Sequence, residues 1–245
     1  MKRLAGLACG VVLALAAPAQ AGELDQPHFA PGDSWVYDIV VAKKGVAPRD
    51  LQTEFAVSRL EGDRMLVSIS TVGSSKPPIE HLSPLDWSRE RSVNGVETVV
   101  NRPLAFPLAL GKSWRVDFTE VNPTVQIARE ESTTVYKVDG WETIKTPAGE
   151  FKTLKIEGNG NWVADTSPRV ISNAVVGKSA NGGAASRVDK NVIAARRVTG
   201  RIYRVLYYAP TVKRWVKSLE ETYDNNDDVA NSETSELKAY HAGSE

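Results

Sequence analysis

Apolar and polar residues alternate in twos along most of this chain, and that period predicts β-strands. Trp114, Val116 and Phe118 alternate with Ser113, Arg115, Asp117 and Thr119, which gives one apolar face for a core. Phe55 and Val57 alternate with Glu54 and Ser58. Glu61-Gly62-Asp63 then turns the chain, and Met65, Val67 and Ile69 resume the alternation, the pattern of a hairpin. Asn94-Gly95, between 87–93 and 96–101, predicts a tight hairpin turn, because both residues tolerate the positive φ such a turn needs. Further strands are expected at 34–41, 130–138, 151–158, 201–208, 214–223 and 236–240, which makes about ten in all, joined mostly by short turns.

The best-organised stretch is 141–162, WETIKTPAGEFKTLKIEGNGNW. Thr146-Pro147-Ala148-Gly149 reads as a turn between strands: proline presets φ, and glycine takes a conformation that strains other residues. It has no nucleophile beside a base, too few glycines to cradle phosphate, and no helix after it to supply an N-terminus for an anion. Asn101–Pro107, NRPLAFP, carries two prolines and should be an extended connection rather than a central strand. Helical spacing is scarce. The stretch 165–198 contains GKSANGGAAS, too small and polar to pack, and is read as a mobile excursion between two strands, with 170–198 the one region open to helix or disorder. The expected organisation is a signal peptide over 1–21, a single all-β antiparallel domain over 22–241, and a frayed tail over 242–245.

The N-terminus reads as an export signal. Lys2 and Arg3 precede an apolar run from Leu4 to Ala17, followed by Pro18-Ala19-Gln20-Ala21. A basic start, a short apolar core and an A-x-A ending predict cleavage near Ala21 and delivery to the periplasm or beyond. The run is shorter than the about 20 residues of a permanent span, and no later segment approaches that length. Leu7-Ala8-Cys9 offers a lipoprotein alternative, which Gly6 and the short spacing from Arg3 argue against. Cleavage would remove Cys9, the only cysteine, so a cleaved chain has no disulfide, thiol nucleophile or thiolate metal site. It would also take Lys2 and Arg3 from the 30 basic residues, leaving 28 against 30 acidic, a net charge of −2. That balance is no footprint for nucleic acid.

Candidate chemistry is thin, and no catalytic, cofactor-binding or metal-binding residue is assigned. His28, His81 and His241 lack metal-ligand spacing. His81, with Glu80 and Asp86 near it, is the one candidate general base, set against a plain surface histidine in a proline-bounded segment. Glu130-Glu131 and Glu220-Glu221 are neighbours on strands and so point to opposite faces. Asp224–Asp228, DNNDD, begins like a calcium loop but lacks its glycine and final glutamate, so a polar turn explains it. Ser235-Glu236-Leu237-Lys238 matches S-x-x-K without its companion motifs. Trp35, Tyr37, Trp114, Phe118 and Trp141, with Trp162, Tyr203, Tyr207, Tyr208 and Trp215, lie in or beside strands. They either fill a core or line an apolar cleft. Lys213, Arg214 and Lys217 around Trp215, in VKRWVK, read as a solvated strand face or as a contact for anionic headgroups.

PLALGKSWRV (107–116), VDGWETIKTPAGEFKTLKIEG (138–158), YYAPTVKRWVKSLEE (207–221) and ELKAY (236–240) occur in that order. Together they resemble a family of exported bacterial β-proteins known as a domain of unknown function. Its motifs are similar: G-x-x-W, T-P-A-G-x-F-x-T/A-L-x-I, W/Y-Y-A/S-P-x-V and E-L-x-x-Y. The resemblance covers roughly 100–241, and the excursion at 165–198 departs from it. It implies one strongly curved antiparallel sheet, a half-barrel or open barrel like those that carry lipoproteins across the periplasm. It supplies no reaction and no site residues. Three functional readings stand at this point: a non-catalytic periplasmic protein that binds a lipid or other apolar or amphipathic ligand or an envelope partner; a structural or assembly protein of the envelope with no small ligand; and a hydrolase using His81 with neighbouring carboxylates.

Overall fold

The computed structural model describes residues 22–178 and 184–244; the expected signal peptide over 1–21, with Cys9, lies outside them. The chain forms β1 (Ser34–Lys43), β2 (Val46–Glu61), β3 (Arg64–Thr71), β4 (Ile79–Pro84), β5 (Arg89–Val93), β6 (Val96–Asn101) and β7 (Ser113–Thr124). It continues through β8 (Ile127–Thr146), β9 (Gly149–Thr166), β10 (Arg169–Lys178), β11 (Ala184–Ile193), β12 (Arg197–Ala209), β13 (Arg214–Tyr223) and β14 (Val229–His241), with one 3₁₀ turn at Pro210–Val212. Ten strands make one sheet in the order β4-β3-β2-β1-β14-β13-β12-β9-β8-β7. Every pairing in it is antiparallel, and β4 and β7 are its two free edges.

The turns follow their sequence signals. Gly62-Asp63 joins β2 to β3, and Asn94 (φ 53°) with Gly95 (φ 81°) joins β5 to β6. Thr146–Gly149 is the corner between β8 and β9: the Thr146 hydroxyl accepts the Ala148 N–H (3.2 Å), and that N–H also reaches the Leu237 carbonyl of β14 (3.2 Å). In the expected excursion after β9, 179–183 lie outside the described residues; none of the described ones is helical, and most are paired. β10 and β11 form an antiparallel hairpin of their own outside the main sheet. Small polar residues give no packing signal, yet backbone pairing needs none. Within the expected tail 242–245, the Gly243 N–H donates to Asp33 (2.9 Å), and Glu245 lies outside the described residues.

The sheet is strongly curved. β3 and β7 stand eight positions apart in its order, about 38 Å if it were flat. Neighbouring residues of β5 nevertheless touch both: Glu90 pairs with Arg64 of β3 at 2.7 Å, and Arg91 pairs with Glu120 of β7 at 2.6 Å. Bulges at Val36/Tyr37, Val57/Arg59, Val138/Gly140 and Tyr207/Tyr208 supply local bends in four strands. The β5–β6 hairpin therefore straps the opening between the two edges, with the Asn94 side chain bonded to Thr119 O and Val121 N of β7 (3.0 and 2.9 Å).

Candidate functional site

The inward-facing positions of the concave side change character along each strand. On β13 they run Val216, Ser218, Glu220, Thr222; on β14 Leu237, Ser235, Glu233, Asn231; on β12 Leu206, Arg204, Ile202; on β8 Tyr136, Thr134, Ser132, Glu130. One end is thus apolar and full. Trp35, Tyr37, Met65, Tyr136, Ile156 and Leu237 are sealed there, and the prolyl connection expected to be merely extended inserts Leu104 and Leu108 as a plug. The other end is polar and unfilled. Between it and the β5–β6 hairpin lies a cavity of about 560 Å³, lined by Arg89, Glu90, Arg91 and Val100 on one side and by Ser132, Trp162, Ile202 and Arg204 among the sheet residues. A second cavity of about 240 Å³ shares Arg89 and runs toward the apolar end, past Leu206, Trp87 and Trp215.

Arg204 and Arg89, which line the larger cavity, both turn toward Glu220. Arg204 donates to Glu220 (3.1 Å), to the Thr134 hydroxyl (3.1 Å) and to the Tyr136 hydroxyl (3.4 Å), and Arg89 approaches Glu220 at 3.8 Å. Burial pushes the Tyr136 phenol up to about 12, so it stays a neutral donor, here to Asn101. Glu233 is held above the ordinary carboxylate value, first by desolvation of its carboxyl in the cleft and then by the charge of Glu220.

The VKRWVK segment corrects the expectation of a solvated face. Only Lys217 conforms, paired at the surface with Glu236 at 3.4 Å. Lys213 places its ammonium 2.7 Å from Asp33, a carboxylate with no exposed side-chain surface. Arg214 is buried, 5 % exposed. Its guanidinium carbon lies 4.0 Å from the ring centre of Trp87 and 4.1 Å from that of Phe55, with Trp215, Tyr37 and Trp35 at 4.7, 5.0 and 5.8 Å. Nε and Nη1 are buried without a hydrogen-bond partner, and no carboxylate pairs with the group among the described residues. Burial lowers Arg214 to about 10, with only Tyr37 acting against the shift. Two non-glycine residues in the left-handed region frame this cage, Trp87 (φ 57°) and Lys213 (φ 61°). A bulky residue holds such a conformation only where its surroundings enforce it; here the Trp87 indole N–H reaches the Lys213 carbonyl (3.4 Å).

The other sequence candidates are not brought together. His81 is an exposed residue of edge strand β4 that lines the smaller cavity, and no hydrogen bond or ion pair joins it to Glu80 or Asp86 among the described residues. Asp86 is engaged by Arg102 (3.2 Å) and by the Ser88 N–H (2.8 Å). His28 and His241 are exposed. Glu130 lines the larger cavity while Glu131 pairs with Arg129 at 2.7 Å. Within Asp224–Asp228, Lys44 takes Asp224 and Asp228 (2.8 Å each) and Arg201 takes Asp227 (2.6 Å). Ser235 bonds Ser218 (2.6 Å), while Lys238 reaches toward Asp38 (3.6 Å). Of the aromatics, Trp35, Tyr37 and Tyr208 are core, whereas Phe118, Trp162 and Trp215 line the cavities. Among the described residues no helix is long and apolar enough to cross a membrane.

No protein-family model matches the chain, and no curated protein does. Two solved structures are similar in fold. One is a protein of Bacteroides fragilis, described by inference as exported and as YmcC-like in fold; it is 14% identical, with a TM-score of 0.41 over 90% of this chain and 100% of that one. The other is a protein of Parabacteroides distasonis, described by inference as a lipoprotein; it is 14% identical, with a TM-score of 0.44 over 89% of this chain and 99% of that one.

Proposed function

We propose that this is a non-catalytic binding protein of the bacterial envelope, holding an amphipathic ligand between the concave face and the β5–β6 hairpin. The observation that carries the reading is the unfilled half of that face, with its cavity of about 560 Å³. Ligand pockets commonly fall between about 300 and 1,000 Å³ and combine apolar walls with a few polar groups. Here Val100, Phe118, Trp162 and Ile202 supply the apolar part, and Ser132, Thr222, Asn231 and Arg204 supply the polar part. The export pattern at 1–21 supports an envelope setting, in which a soluble carrier or sensor of amphiphiles has a use.

The test is a titration with a dansyl-labelled fatty acid, followed by dye emission. Saturable binding with one site per chain is expected. Ser132→Trp, which puts an indole into the larger cavity, is expected to weaken it by about tenfold or more, the loss of roughly 1.4 kcal/mol of contact. Absence of saturable binding, or binding indifferent to that filled cavity, would sink the proposal. Native mass spectrometry of protein released gently from its own compartment identifies the natural occupant.

A further inference from the structure

Arg214 is a cation without a counter-ion in a place where charges are rarely left alone. Buried arginines ordinarily pair with carboxylates, because desolvating the group is costly unless its hydrogen bonds are met. In this molecule the half-buried basic group next to it, Lys213, has its partner in Asp33. Arg214 has rings instead. Trp87 and Phe55 are the two nearest, and cation–π contacts of this kind hold a guanidinium while leaving its N–H groups unused.

Those N–H groups belong to a residue that lines the 240 Å³ cavity. Asn101, 5 % exposed, lines it as well. Its side-chain oxygen already accepts the Tyr136 hydroxyl, so its NH₂ group is the part still free to donate. The buried hydroxyls of Ser83 and Ser88 complete the wall. Glu220 and Glu233 also line this cavity; Glu220 is neutralised by Arg204 and Arg89. A fixed cation, an amide donor and two hydroxyls around one small space make a receptor for an oxyanion. A planar guanidinium matches the two oxygens of a carboxylate, or of a phosphate ester, through a pair of parallel N–H bonds.

We infer that Arg214 and Asn101 bind the oxyanion head of an amphiphile in the smaller cavity, while its chain extends past Arg89 into the larger one. This rests on the proposed function above and adds the chemistry of the head. A short tethered anion, not a free one, is specified, because the two cavities adjoin.

Intrinsic tryptophan fluorescence provides the readout, since Trp87 and Trp215 line the cavity. Dodecanoate, dodecyl phosphate, dodecanol and inorganic phosphate are titrated into the purified full chain. Dodecanoate and dodecyl phosphate are expected to bind about tenfold or more tighter than dodecanol, the usual worth of hydrogen bonds to a charged group. Inorganic phosphate in large excess is expected not to compete. Arg214→Met is expected to erase the preference, bringing the affinity for the anions down to that for dodecanol. Should that variant fail to fold, Arg214→Lys keeps a charge but loses the fork, and should cut the ratio of dodecanoate to dodecanol affinity. Equal affinity of the wild type for dodecanoate and dodecanol would overturn the head-group site while leaving the proposed function intact. So would a preference that survives in Arg214→Met. No binding of any chain-bearing ligand overturns both, and tight binding of inorganic phosphate that is lost in Arg214→Met overturns the assignment to an amphiphile.

Discussion

Asp33→Asn is expected to lower folding stability by about 3 kcal/mol at neutral pH, read as a fall in the urea midpoint with an unchanged slope. Asp33 has no exposed side-chain surface. Its two oxygens accept the Lys213 ammonium (2.9 and 2.7 Å), the Ala30 N–H (2.8 Å), the Gly243 N–H (2.9 Å) and, more weakly, the Tyr240 hydroxyl (3.4 Å). One carboxylate thus joins the segment before β1, the residue that opens β13 and the chain beyond β14. An amide of the same shape loses the charge. It also turns one acceptor into a donor, which must then face other donors. The Lys213 ammonium loses its counter-ion, and its partial exposure, 21% of the side chain, lets water recover some of the loss, hence the low end of the range for broken buried pairs. The pH dependence follows from the direction of the shift. Burial alone would raise Asp33, but the Lys213 hydrogen bond and the Ala30 and Gly243 amides together hold it below its ordinary 3.8. A carboxyl depressed in the folded state stabilises above its unfolded pKa, and the contribution is lost as pH falls through the folded value. The gap between wild type and variant should therefore close as the pH drops below about 4. A gap of equal size at pH 7 and well below pH 4 would contradict the role assigned to this carboxylate.

The sheet was legible because its inward residues alternate cleanly where they are apolar. Trp114, Val116 and Phe118 turn to the concave face as their alternation requires, and Asn94-Gly95 turns where it should. Strand length was not legible. β8 extends from Ile127 to Thr146 and β9 from Gly149 to Thr166, well beyond 130–138 and 151–158, because the added stretches carry only scattered apolar residues, such as Trp141, Ile144 and Trp162, with no sustained alternation to count. The caged arginine was hidden for a related reason. On β13 Arg214, Val216 and Ser218 alternate with Trp215, Lys217 and Leu219, and Trp215 too lines the smaller cavity. Neither set is plainly the apolar face, so the phase of the strand cannot be read, and a basic residue defaults to solvent. Apart from the adjacent Trp215, its aromatic neighbours come from β1, β2 and the stretch before β5, too far apart in sequence for any local window to join them. The one local hint lay in Gly158-Asn159-Gly160. Glycines inside a strand pattern signal a close approach by other atoms, and these lie on the inward face in line with Leu154 and Ile156.

Gly160→Ala is expected to cost about 3 kcal/mol, the upper end of ordinary overpacking, while Gly140→Ala on the neighbouring strand should stay within about 0.5 kcal/mol of wild type. Both are strand glycines outside the left-handed region, so conformational preference does not separate them. Space does. A methyl at Gly140 meets nothing within 4 Å, whereas one at Gly160 falls 2.1 Å from the Thr133 carbonyl and 2.9 Å from the Thr134 Cα. Those are backbone atoms of a paired strand and cannot swing aside, so β8 and β9 would have to part. Gly158 and Gly200 are crowded in the same manner. A methyl at Gly158 falls 2.6 Å from the Tyr136 ring, and one at Gly200 falls 1.9 Å from the Tyr223 carbonyl and 2.5 Å from the Trp162 indole nitrogen. The rings that lie over these glycines belong to the concave face: Trp162 lines the larger cavity, and Tyr136 donates to the Asn101 that lines the smaller one. The missing side chains are what allow four strands, β8, β9, β12 and β13, to crowd and two rings to lie over them, leaving the space above open. Thermal or urea melts of Gly160→Ala and Gly140→Ala, measured side by side, decide the matter; equal stabilities would mean that the close approach of β8 and β9 relaxes without cost and that the glycines do not set the depth of the cleft.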